Sequence, residues 1–160
     1  MPHITPAHLH VLINHIPIIG IPVVALFLAW GLARREEPVI RAALIGAVIL
    51  GALTWVTDLT GDSAKDDIEH LAWVNKDVVD EHEESADWAN IAGIVMGLGA
   101  LGTLMLARKG RPVPRSTALG VLALMVFETA VVARTGWLGG KIRHDEFGLT
   151  PAPTGQPPSR

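Results

Sequence analysis

The chain of 160 residues has no cysteine. This excludes disulfides, thiolate metal sites, thiolate-held iron–sulfur clusters and covalent haem attachment through CxxCH. Tyrosine is also missing, and the aromatic set is five Trp and three Phe. Charge is scarce: 18% of residues are Asp, Glu, Lys or Arg, where soluble domains carry roughly a quarter. There is no Walker motif, GxSxG elbow or HExxH pair, so the chemistries that depend on them have no foothold. The start of the chain lacks a basic stretch followed by a small-residue cleavage site, so a removable signal peptide is not expected. The last residues, from Gly148 to Arg160, form a Pro-rich tail expected to lack order of its own.

What the chain does have is apolar length. About 17–25 apolar residues suffice for a helix to cross a bilayer, and four runs qualify: about 9–33, 39–57, 88–107 and 117–138. Only RREEP separates the first two, and little more than RKGRPVPR separates the last two. Such short links force neighbouring helices to run antiparallel. The expected fold is therefore all-α: one domain over residues 1–147, an integral membrane up-down four-helix bundle, with the polar segment 58–87 as an outer loop. The stripes Ala43-Ala47-Gly51 and Ala89-Gly93-Gly97 read as surfaces for close helix packing. No internal repeat stands out.

Positive residues in short loops mark the cytoplasmic side. Arg34, Arg35, Arg41, Arg108, Lys109, Arg111 and Arg115 all fall at one end of the expected bundle. Both termini and the acidic 58–87 segment then lie on the extracytoplasmic side. Trp55, Trp88 and Trp137 sit at the outer ends of spans, where interfacial Trp is enriched. A bacterial cytoplasmic (inner) membrane is the expected location, with the histidine-rich face toward the periplasm.

All seven histidines (His3, His8, His10, His15, His70, His82 and His144) fall in the outer half. His3 and His70 read as solvated loop residues. His10, His15 and His82 stand where spans meet the outer interface, and polar side chains there usually face the bundle interior. His10 and His15 are five apart, about 140° around a helix, so one helix cannot aim both at one small ion. Pro17 and Pro22 remove the hydrogen bonds to the carbonyls of Ile13 and Ile18 and are expected to kink the first span. His82 is flanked by Asp80, Glu81, Glu83 and Glu84, carboxylates suited to orienting a ligating imidazole. His144 follows Gly136 and Gly140 at the outer end of the fourth span.

Imidazoles from different helices at one end of a bundle suit a non-covalent b-type haem held by two axial histidines. His15 and His82 are the preferred axial pair, with His10 and His144 as substitutes or a second pair. A divalent metal such as Zn or Cu, held by imidazole and carboxylate, is the competing cofactor reading. Two further charges lie in the fourth span. Glu128 costs on the order of 3 kcal/mol to insert unless protonated, paired or facing a cavity. It reads as a proton relay, a quinone contact, a haem-propionate neighbour or a buried acid joining two helices. Arg134 reads as a partner for the acidic segment or a propionate, or as a side chain snorkelling to the interface.

The stretch HVLINHIPI, with His10 and His15 five apart ahead of Pro17, resembles the HPxxxHxP-type opening of an uncharacterised bacterial four-span membrane domain. That family has a His at the start of its third helix and a Gly-Gly near the end of its fourth, matched here by His82 and by Gly139 with Gly140. The likeness covers roughly residues 8 to 145. Val11 stands where the family usually has Pro. The family is often fused to Rieske iron–sulfur or c-type cytochrome domains, which implies an electron-transfer setting. This chain carries neither, so the resemblance implies a separate redox partner subunit or c-type cytochrome. Electrons would pass between that carrier and quinone or a larger respiratory complex, the protein being a non-catalytic subunit. The competing readings are a non-redox structural subunit and an outer-face metal-binding protein.

Overall fold

The computed structural model describes residues 5–71, 74–108 and 111–143. His3, His144 and the Pro-rich tail lie outside the described residues. Within them the chain is helical: α1 (Pro6–Arg34), α2 (Glu37–Ile68), α3 (Lys76–Leu106) and α4 (Arg115–Arg143). All four are long and apolar enough to cross a membrane. Each helix packs on the next, and α4 closes against α1. Helices α1 and α3 face each other across one diagonal without close backbone contact, and α2 and α4 barely touch across the other. This is an up-down-up-down bundle.

Local chemistry explains the ends. Thr5 caps α1, its hydroxyl accepting from the His8 backbone N–H, and Pro6 occupies the first turn, where a missing N–H does no harm. At the other end Arg35 adopts the left-handed conformation (φ 58°), and it and Glu36 donate backbone N–H groups to the Gly31 carbonyl. The helix continues through Pro17 and Pro22 without an interruption, so the expected kinks do not break the element. At this arginine-rich end Glu37 and Arg41 act as a clamp. Arg41 donates to Glu37 and to the carbonyls of Ala107 and Arg111, while Glu37 accepts from the Val113 N–H.

Segment 58–87 is not a loop. Helix α2 runs eleven residues beyond Thr57, and α3 begins twelve before Trp88, leaving residues 69–75 as the connection. Charge marks where an apolar run ends, but a helix whose neighbours support it continues into water. Here Lys65 pairs with Glu83 (2.5 Å) beyond both apolar stretches, and Asn90 donates to Asp58 (2.7 Å) at their edge, joining α2 to α3.

The core mixes Leu, Ile, Val and Met with many Ala and Gly. Gly51 on α2 lies so close to α3 that a Cβ there would meet the Gly93 carbonyl at 2.6 Å and the Gly97 Cα at 2.9 Å. Both small-residue stripes are buried. Outside the core the surface is apolar, with Leu12, Leu26, Phe27, Leu98, Val126 and Phe127 all exposed. Such a surface suits lipid rather than water.

The two helical hairpins repeat each other in register, although the sequence shows no repeat. His10 lies 24 residues before the last residue of α1, and His82 lies 24 before the last of α3. Thr57 lies 20 residues after the first residue of α2, and Thr135 lies 20 after the first of α4. Buried positions follow the same shift. Pro17, Ile21, Ala25, Leu28 and Gly31 correspond to Ala89, Gly93, Gly97, Ala100 and Thr103. Ile40, Ala43, Ala47, Leu50 and Thr54 correspond to Ala118, Val121, Met125, Glu128 and Val132.

Candidate functional site: a histidine pair at one mouth of the bundle

The repeat places two equivalent imidazoles at the end of the bundle that carries the α2–α3 connection. His10, from α1, has its Nδ1 3.2 Å from both the Thr57 carbonyl and the Thr60 hydroxyl on α2. His82, from α3, has its Nδ1 3.0 Å from the Thr135 carbonyl on α4. A backbone carbonyl only accepts, so in the neutral rings both Nδ1 atoms carry the proton and both Nε2 atoms keep their lone pair. This is the arrangement that orients a ligating imidazole.

Each ring also rests against a glycine four residues beyond its carbonyl partner. A Cβ on Gly61 would lie 3.3 Å from the His10 Cε1, and one on Gly139 would lie 3.2 Å from the His82 Cε1. Thr-x-x-x-Gly therefore serves as the same cradle on α2 and on α4. Behind His82 the Thr135 hydroxyl stands 2.8 Å from the Ser85 hydroxyl and 3.0 Å from the Val131 carbonyl, fixing the α3–α4 contact.

The two rings meet across the diagonal. Their centroids are 6.4 Å apart and their planes are 88° apart. Two imidazoles on opposite sides of one metal ion, with metal–nitrogen bonds of about 2 Å, have ring centres about 6 Å apart. His82 lies ahead of the apolar 88–107 stretch. Burial there holds its imidazole below the usual histidine value, and the neighbouring His10 adds to that, against the pull of the Thr135 carbonyl. It is thus poised to be neutral, the form that binds metal. Asp58, at the rim of α2, is pushed above the usual carboxylate range by burial and by Asp62 and Asp87, against the hydrogen bond from Asn90.

The preferred pairing of His15 with His82 is not the one the fold makes. His15 is exposed, and its Nδ1–H donates to the Val11 carbonyl of its own helix (2.6 Å). Five residues of helix turn His15 away from the face that His10 presents to α2. His10, expected as a substitute, takes the inward place. His8 is exposed and bonded to Thr5, and His70 is exposed on the connection. Arg134 is exposed and makes no ion pair among the described residues. Glu128 is fully buried and lies seven residues inward from Thr135. The string Gly97-x-Gly99-x-x-Gly102 has dinucleotide-motif spacing but lies inside α3, without the strand and turn that give such glycines their function.

The residues sequence reasoning did not find are Thr57, Thr60, Thr135, Gly61 and Gly139 in their role as cradle. The signal available was Thr and Gly four apart near the outer end of the second and fourth spans.

Among the described residues no three His, Asp or Glu side chains converge on one point. A structural zinc site needs four protein ligands and a catalytic one three. A b-type haem needs only two, because the macrocycle supplies the other four nitrogens. Two imidazoles meet that count and fall short of a zinc site's three or four protein ligands. Two buried acceptors, the Oδ1 atoms of Asn14, four residues from His10, and Asn90, eight from His82, have no partner. Compared with family models, curated proteins and solved structures, the chain matches none.

Proposed function

We propose that this chain is a haem-b-binding membrane electron-transfer subunit whose axial ligands are His10 and His82. The supporting observation is the paired imidazoles: one from each hairpin, each tied at Nδ1 to a backbone carbonyl, with ring centres 6.4 Å apart. A bound haem would supply reversible one-electron chemistry. The chain's own part would be to tie each ring at Nδ1, which leaves Nε2 free to ligate, and to bury the site among helices and so set its potential.

The remaining parts of the reading follow from the charge pattern and the family resemblance. The histidine end faces the periplasm of a bacterial cytoplasmic membrane, opposite the Arg-rich loops, with the termini on the same outer side. Electrons pass between an extracytoplasmic carrier, a c-type cytochrome or a separate redox subunit, and quinone or a larger respiratory complex.

The test is an oxidised and dithionite-reduced absorbance spectrum of protein purified from haem-sufficient cells. Sharp reduced bands are expected, lost in His10→Ala and in His82→Ala and kept in His15→Ala. A folded protein without such bands overturns the haem reading. Retention of the bands in His10→Ala with their loss in His15→Ala overturns the ligand pair. Bound Zn or Cu in place of haem, by elemental analysis, would favour the metal-binding reading.

A further inference from the structure

Glu128 is the one fully buried acid among the described residues, and neither of its carboxylate oxygens has a hydrogen-bond partner. No Lys, Arg or His nitrogen of the described residues lies within 4.0 Å of it. The repeat indicates that the architecture does not require an acid there. At the equivalent position of α2 stands Leu50, a carbon side chain that packs over Gly20. An isolated carboxylate in an apolar interior is strongly unfavourable, and binding a proton removes the charge.

Position connects this acid to the histidine pair. Seven residues separate Glu128 from Thr135, whose carbonyl holds His82. That is two turns on one face of α4, about 10 Å along the axis. From α1, Asn14 sits one turn inward from His10 with its buried Oδ1 unpartnered. Apart from Asp67, half-buried near the end of α2, the other ionisable groups on the neighbouring turns are engaged or exposed. Asp58 of α2 is tied to Asn90, Lys65 of α2 to Glu83 of α3, and Asp87 of α3 and Arg134 of α4 are exposed. His10 and His82 are the titratable side chains that face inward above Glu128.

We propose that Glu128 is a proton-binding site coupled to the histidine pair: its affinity for a proton rises when one electron enters there. The proposal rests on the haem reading. The electron comes from an external donor, a reduced c-type cytochrome or a quinol. The proton comes from the aqueous side and binds a Glu128 carboxylate oxygen, which offsets part of the charge the electron adds. An electron about 10 Å away alters proton affinity by roughly tenfold at an effective dielectric constant near 20.

Infrared spectra of the haem-free protein provide the first readout. Wild type is expected to show a protonated-carboxyl C=O band that shifts in deuterated water, and the near-isosteric Glu128→Gln is expected to lack it. A band unchanged in Glu128→Gln, or insensitive to deuteration, overturns proton binding at this site. The second readout is the midpoint potential of haem-loaded protein against pH. It is expected to fall with rising pH in wild type by a total of about 59 mV, the equivalent of tenfold for one electron, and to be flat in Glu128→Gln. A protein that takes up no haem overturns the function proposed above and the coupling with it. Bound haem with the same pH dependence in both proteins overturns the coupling alone.

Discussion

At the scale of single residues, the site depends on what is missing beside each imidazole. Gly139 leaves room for His82, and an added methyl would stand 3.2 Å from Cε1 and 3.5 Å from Nδ1. The ring must shift, and its bond to the Thr135 carbonyl loosens with it. Gly139→Ala is expected to destabilise the bundle by about 1–2 kcal/mol. Gly102→Ala, which meets nothing within 4 Å, is expected to gain up to about 1 kcal/mol from helix propensity. Thermal unfolding of both variants in the same detergent checks the contrast, and equal shifts would rule out the cradle. His82 was legible in the sequence as an imidazole at the junction of span and interface. The choice between His10 and His15 was not. Five residues put them on different faces of one helix, and only the positions of α2 and α4 decide which face is inside. The cradle was harder still, because its hydrogen-bond acceptors are backbone carbonyls that every residue possesses.

Between elements, α2 and α3 meet backbone on backbone. Helices α2 and α3 approach at Gly51, Gly93 and Gly97, where a Cβ on Gly51 would strike main-chain atoms that have no freedom to turn aside. Gly51→Val is expected to push the helices apart and cost about 3 kcal/mol or more, above the usual range for overpacking because the obstacle is main chain. Gly120→Val, with open space around it, is expected to change stability by less than about 1 kcal/mol. Unfolding by denaturing detergent distinguishes them, and a tolerated Gly51→Val would show that the pair is not held this tightly. This contact was readable in advance as two stripes of small residues at helical spacing. Hydropathy was a poorer guide to helix length. It located the four apolar runs but not the turns beyond them, where Lys65 and Glu83 hold α2 to α3 with a polar contact.

For the molecule as a whole, the arrangement amounts to two hairpins that share one site. The repeat escaped sequence inspection because, beyond a His, a Thr and a Gly, the residues that recur in identity are common apolar ones such as Leu26 and Leu98 or Val48 and Val126. What recurs otherwise is which positions are buried, and different apolar residues fill them. Each hairpin supplies one imidazole and its own cradle, so neither contains the pair. Apolar helices are individually stable in a bilayer and associate by packing, and helix packs on helix at both faces that join the halves, α2–α3 and α1–α4. Hairpins 1–70 and 75–160, expressed together as separate chains, are therefore expected to co-purify through a tag on either one. If the haem reading holds, the reassembled pair shows the reduced bands, and each half alone shows none. Halves that remain apart would mean that the connection itself organises the bundle. A single half with bis-imidazole bands would mean that the site does not lie between the hairpins. The two outcomes separate assembly from ligation, because co-purification reads the packing of helices and the spectrum reads the meeting of His10 and His82.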